Sequence, residues 1–200
     1  MKTSVLTGDL INSRSIPGKE WMPLFKEALN RYGSEPAQWE IFRGDSFQLE
    51  LSPEKAVMAV LHIKATIKQL KSLDVRIGIG IGEKNYKANK VTQCNGSAFV
   101  HSGEAFESLK RKILSLKSDW PEFDVEINQY LDLASLVMNN WPATSAIIFK
   151  AALEHPGLNQ AQLAEKLGKS QSSISESLSR TGFEEIMNME KRYRELLQKQ

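Results

Sequence analysis

The run Val75-Arg76-Ile77-Gly78-Ile79-Gly80-Ile81-Gly82 restricts the fold more than any other stretch of the chain. Val75, Ile77, Ile79 and Ile81 alternate with Gly78, Gly80 and Gly82, the period of two that marks a strand. One face of that strand is β-branched and needs a core. The other is nearly bare, and glycines on one strand face admit the close approach of a helix or a ligand; helix packing is the expected occupant. The chain is therefore organised around a sheet that something touches at backbone distance.

Further elements assemble around this strand. Val5-Leu6-Thr7-Gly8-Asp9 ends another apolar run with a Gly-Asp pair. Apolar positions Trp21, Leu24, Phe25, Ala28 and Leu29 predict a helix within 17–32, with Gly33-Ser34 as its stop. Trp39 to Phe42 and Phe47 to Leu51 read as two strands joined at Gly44-Asp45, a strong hairpin signal. Ser52-Pro53 opens a helix with an apolar face from Ala56 to Leu70. A helix after Gly96 and a short strand near Ile113–Leu116 complete the order β-α-β-β-α-β-α-β. That order matches the split βαββαβ, ferredoxin-like plan with one added strand. The expected class is α+β: residues 1–120 form a ferredoxin-like, cyclase- or palm-like sheet domain. Residues 121–141 form a connecting helix, with Val125, Ile127, Leu131, Ala134, Leu136 and Val137 as its apolar positions. Asn139-Asn140-Trp141-Pro142 breaks that helix, since proline disfavours helix in the residue before it.

Residues 142–200 read as an all-α helix-turn-helix domain. Asn159 caps a helix over 160–167, Gly168-Lys169-Ser170 makes a tight turn, and 171–180 is a second helix. Ala164 lets the two helices cross closely, Gly168 permits the sharp turn, and Ile174 packs the second helix back on the first. The candidate DNA-binding residues are Lys169, Ser170, Gln171, Ser172, Ser173, Ser175, Ser179 and Arg180. Serine and glutamine side chains contact phosphates and base edges, and a lysine beside a helix N-terminus favours phosphate. Glu176 opposes close phosphate approach on its side. A final helix, 184–198, carries Ile186, Met189, Tyr193 and Leu196 on one stripe, which serves either the chain's own core or a homodimer seam.

Charge is evenly distributed. Residues 1–135 carry 18 basic and 17 acidic side chains and residues 136–200 carry 8 and 7, so each part is +1. A broad non-specific nucleic-acid footprint is absent from the composition, and DNA binding has to come from local geometry. No apolar run approaches the roughly 18 residues of a membrane span. One cysteine, Cys94, excludes an intramolecular disulfide framework and fits a cytoplasmic location. No signal-peptide pattern precedes the first strand.

The two Gly-Asp pairs carry the remaining chemistry. If their strands lie side by side, Asp9 and Asp45 converge at one sheet edge, and paired carboxylates hold Mg²⁺ or Mn²⁺ against phosphates. Phe42-Arg43-Gly44-Asp45-Ser46-Phe47 resembles the GGDEF hairpin of diguanylate cyclases and that of class III nucleotidyl cyclases, and residues 5–10 resemble the first cyclase strand with its metal-binding Asp. Ser46 departs from the motif's Glu. His101 and Glu104 stand near where cyclases carry transition-state donors, which argues against turnover. Taken whole, Thr-Gly-Asp-Leu-Ile-Asn-Ser-Arg, Arg-Gly-Asp-Ser-Phe-Gln, Arg-Ile-Gly-Ile-Gly and Ser-Gly-Glu-Ala-Phe resemble the SatD family, named for a bacterial acid-tolerance locus. The resemblance implies a cyclase-like domain joined to a helix-turn-helix.

Together these features lead to a DNA-binding transcriptional regulator whose first domain senses a nucleotide or related phosphorylated ligand. The alternatives are a metal-dependent nucleotidyl cyclase or transferase using Asp9 and Asp45, and an interaction protein in which both domains are scaffolds.

Overall fold

A computed structural model describes residues 2–200. It is a mixed α/β structure. Strands β1 (Lys2–Ile11), β2 (Trp39–Phe42), β3 (Ser46–Leu51), β4 (Asp74–Glu83) and β5 (Leu114–Lys117) form one sheet in the order β2-β3-β1-β4-β5. All neighbours are antiparallel except β4 and β5, which are parallel. Helix α1 (Gly18–Asn30) links β1 to β2, α2 (Ala56–Lys68) links β3 to β4, and α3 (Ser97–Ser108) links β4 to β5.

The register sorts the two sheet faces. Leu6 pairs with Leu49 and Ile79, and Gly8 with Phe47 and Ile77, so these apolar side chains share the face covered by α1 and α2. Thr7 pairs with Gln48 and Gly78, placing the polar residues and the glycines on the opposite face. Helix α3 lies there, as the bare face of β4 predicts. A Cβ at Gly80 would stand 2.1 Å from the Ala98 carbonyl oxygen and 2.2 Å from the Ser102 amide nitrogen. Only glycine lets a helix backbone sit this close to a strand.

Five more helices follow: α4 (Pro121–Met138), α5 (Ala143–Glu154), α6 (Gln160–Leu167), α7 (Gln171–Thr181) and α8 (Phe183–Leu197). Of these, α5 and α8 pack on α2, which also touches α1 and β4. Every α2 residue from Ala59 to Ile67 is buried, so the helix is enclosed on all sides. Its sequence, AVMAVLHIKATIK, is apolar around the whole circumference, the pattern of a core helix. One apolar core runs from Leu6 in β1 through Phe149 in α5 to Tyr193 and Leu197 in α8. The stripe of α8 is thus buried within the chain: Ile186, Tyr193 and Leu196 all join that core.

Helix α4 differs from expectation. Phe123, Ile127, Leu131 and Met138 form its inward stripe, while Val125, Leu133 and Leu136 are more than half exposed. Apolar residues occur around much of this helix, but β5 and α8 cover only one side of it. Among the described residues, no helix is long and apolar enough to cross a membrane.

Candidate functional site at the sheet end

Antiparallel pairing brings three candidate side chains to one end of the sheet. Asp9 lies opposite Ser46 on β3 and opposite Arg76 on β4. Asp45 immediately precedes β3, in a turn whose Arg43 and Gly44 both have positive φ, 51° and 96°. Both carboxylates therefore occupy the same end, and both act electrostatically on Arg76. Arg76 grips Asp9 in a bidentate pair, with Nε 2.9 Å from Oδ1 and Nη2 2.5 Å from Oδ2. That hydrogen bonding holds the guanidinium above its ordinary pKa. The guanidinium also stands 5.4 Å from the Phe106 ring centroid, in cation–π range. Ser13 Oγ donates to Asp45 Oδ2.

This geometry bears on metal binding. Both oxygens of Asp9 are already taken by Arg76, and one oxygen of Asp45 by Ser13. Among the described residues, no three His, Cys, Asp or Glu side chains gather as a metal site. Asp9 and Asp45 as arranged spend much of their acceptor capacity on Arg76 and Ser13, which leaves fewer oxygen lone pairs for a Mg²⁺ or Mn²⁺. Beside Asp9 opens a cleft of about 400 Å³, lined also by Arg76, Lys110, Arg111 and Lys112. Lys112 pairs with Asp132 at 2.6 Å, whereas Lys110 and Arg111 have no ion-pair partner among the described residues. The cleft carries net positive charge.

His101 and Glu104 lie elsewhere. His101 Nδ1 is 2.8 Å from the Ile81 carbonyl oxygen, and Glu104 pairs with Lys117 at 2.6 Å. Ile81 is opposite Ser4, five residues along β1 from Asp9. That separation is about 17 Å at the usual strand rise. These side chains and the paired carboxylates do not form one reaction centre.

In the C-terminal part, α6 begins with a reciprocal capping box between Asn159 and Gln162. Gly168 ends it in the left-handed conformation at φ 61°. Ile174 is fully buried among Ile148, Ala151, Leu163 and Ala164. The α6–α7 turn is thus closed by the small, glycine and β-branched residues that the spacing singled out. Lys169, Gln171, Ser172, Ser175, Ser179 and Arg180 are exposed, and with Glu176 they give α7 a polar outer face. Ser170 and Ser173 contribute differently. Ser170 Oγ caps α7 by accepting from the Ser173 amide at 3.2 Å, and Ser173 is half-buried.

Polar contacts join this part to the sheet. Lys64 of α2 is wholly buried, with Nζ 2.7 Å from Asp74 Oδ1 and 3.0 Å from Asn139 Oδ1. Burial lowers its pKa from 10.5 to about 8. Lys68 Nζ donates to the Asn139 carbonyl at 2.8 Å, and Trp141 Nε1 donates to the Thr181 carbonyl at 3.0 Å. The elbow between α4 and α5 is therefore fastened to the sheet end on one side and to α7 on the other. Sequence reading missed Arg76 and Lys64. The first was signalled by a lone charge on the glycine face of β4, the second by a lysine inside an apolar helix.

A SatD family profile matches residues 4–197. The chain belongs to the SatD family. The match spans the sheet, the elbow and all of α5 to α8, so family membership covers both halves of the structure. No curated protein matches the chain.

Proposed function

We propose that this SatD family chain is a DNA-binding transcriptional regulator. In this reading α6 and α7 are a helix-turn-helix, and α7 is the helix that enters the major groove. The observation that carries it is the packed Ala164–Gly168–Ile174 turn beneath an uncovered polar face on α7. Lys169 and the α7 N-terminus suit a phosphate, while Gln171, Ser172 and Ser175 suit base edges. The sheet part is proposed to be ferredoxin-like. The order β2-β3-β1-β4, with α1 and α2 crossing on one face, supports that plan, and β5 extends it.

The cleft beside Asp9 is the proposed sensor of a nucleotide or other phosphorylated ligand. Its support is the concentration of Arg76, Lys110 and Arg111 around about 400 Å³. Mg²⁺ or Mn²⁺ enters this proposal with the ligand, on its phosphates, rather than as a resident ion. The separation of His101 and Glu104 from Asp9 favours sensing over turnover.

The test is the double variant Gln171→Ala, Ser172→Ala in a selection of preferred sites from random duplex DNA. The expected result is a relaxed or altered sequence preference with the fold intact. An unchanged preference and affinity would remove α7 as the reading helix.

A further inference from the structure

A groove of about 1020 Å³ is lined by residues of α2 and by the side of α7 that carries Ser175 and Ser179. Lys55, Met58 and His62, at helical spacing, supply one wall, and Ser175, Leu178 and Ser179 of α7 supply the facing one. The size is at the upper end for small-molecule pockets, which combine apolar walls with a few fixed polar groups. Here the apolar walls are the half-buried Met58, Leu178 and Phe183.

Two polar features in this groove have no explanation in the fold alone. His62 is 98% buried by its 2% exposure, and its Nε2 lies 2.9 Å from Glu154 Oε1. Burial lowers the pKa of His62, so the neutral ring donates Nε2–H to the carboxylate and Nδ1 is a lone-pair acceptor. Nδ1 has no partner among the described residues and is shielded from solvent, so the ring borders the groove without offering that atom to an occupant. Unsatisfied polar atoms of this kind are few in folded proteins. Lys55 is exposed at the N-cap of α2, where the helix dipole repels a cation, and it has no ion-pair partner among the described residues. Arg31, on the same groove, reaches only Glu154, at 4.0 Å. Glu184 and Glu185 also line the groove, in the first turn of α8, where the positive end of the dipole offsets part of their charge.

The geometry points to a binding site for a small apolar anion, an aromatic or aliphatic acid, whose charge is taken by Lys55 and Arg31 and whose body lies against Met58, Leu178 and Phe183. Its occupant touches α7 directly. An effect of that contact on DNA binding rests on the regulator reading; the binding itself does not.

The probe is anilinonaphthalene sulfonate, an apolar anion that fluoresces when sheltered from water, titrated into the full chain without DNA. The neutral dye phenylnaphthylamine is run in parallel. Saturable one-to-one enhancement by the sulfonate is expected. Ser175→Trp, at an exposed position on the α7 wall, should weaken both dyes by about tenfold, as should Met58→Trp from the opposite wall. Lys55→Ala with Arg31→Ala should weaken the sulfonate and leave the neutral dye unchanged. Leu133→Lys with Leu136→Lys removes exposed apolar surface on α4, outside the groove lining, and should change nothing. Dye binding lost in that α4 variant but retained in Ser175→Trp would overturn the inference, as would the absence of saturable enhancement in the unmodified chain. Equal weakening of both dyes by the charge removal would overturn the assignment of an anion.

Discussion

Replacing Lys64 with Met should change the pH dependence of stability more than stability at neutral pH. Lys64 is wholly buried between Asp74 and Asn139, and burial brings its pKa down from 10.5 to about 8. Below about pH 8 the amine is charged in both folded and unfolded chains, so the cost of burying it is constant. Between about 8 and 10.5 the folded chain releases this proton while the unfolded chain still holds it, and the group's contribution to stability rises with pH. The gap of 2.5 pH units (10.5 − 8), at about 1.4 kcal/mol per unit, is worth about 3 kcal/mol. Methionine has a similar reach, is flexible and carries no charge. It relieves that cost but leaves Asn139 Oδ1 without its donor, a loss of about 1–3 kcal/mol. Asp74 keeps the Val75 amide at 2.8 Å and Lys68 at 3.5 Å. The two effects nearly cancel at pH 7. Urea unfolding of both proteins at pH 7 and pH 10 isolates Lys64, because other titrating groups are common to the pair. The unmodified chain should gain about 2.5 kcal/mol on the variant between pH 7 and pH 10, most of the full difference. Parallel pH curves for the two proteins would refute the argument.

Other outcomes follow from the same structure. Gly80→Ala drives a methyl into the α3 backbone, 2.1 Å from the Ala98 oxygen, and should lower the unfolding free energy from urea titration by about 1–3 kcal/mol or more. Tyr193→Phe removes a buried 2.7 Å hydrogen bond to the Pro53 carbonyl that ties α8 to the sheet half, and calorimetry should show a loss of about 1–2 kcal/mol. Gly168→Ala places a side chain at φ 61° in the α6–α7 turn and should cost about 1 kcal/mol in urea unfolding, with circular dichroism unchanged.

Much of this structure was legible in the residues. The glycine face of β4 announced a helix at backbone distance, and α3 lies there because no side chain on the strand keeps it away. The turn at Gly168 could be read for a similar local reason: glycine conformation and the flanking small and β-branched residues are set over ten positions. The stripe of α4 was misread because apolar periodicity shows which residues could be buried, while the neighbours β5 and α8 decide which ones are. The pairing of Asp9 with Arg76 was illegible for a different reason. It depends on the register between β1 and β4, strands 67 positions apart at these residues. Two aspartates at one sheet end read as a cation site, and the arginine opposite them comes into view only once the register is set. Lys64 was visible as an oddity in an apolar helix, but its partner Asn139 lies 75 positions away.

The regulator reading is tested most directly by fluorescence anisotropy of the full chain with duplex DNA. The duplex comes from the region upstream of its own coding sequence, is compared with random duplex, and is titrated at two salt concentrations. The account predicts saturable binding that prefers the upstream duplex and survives moderate salt, with a modest salt slope because Lys169 and Arg180 are the basic residues on the exposed α7 face. Weak binding that salt erases and that shows no preference between the two duplexes would contradict it, and would leave α6 and α7 as a packing module on α5 and α8.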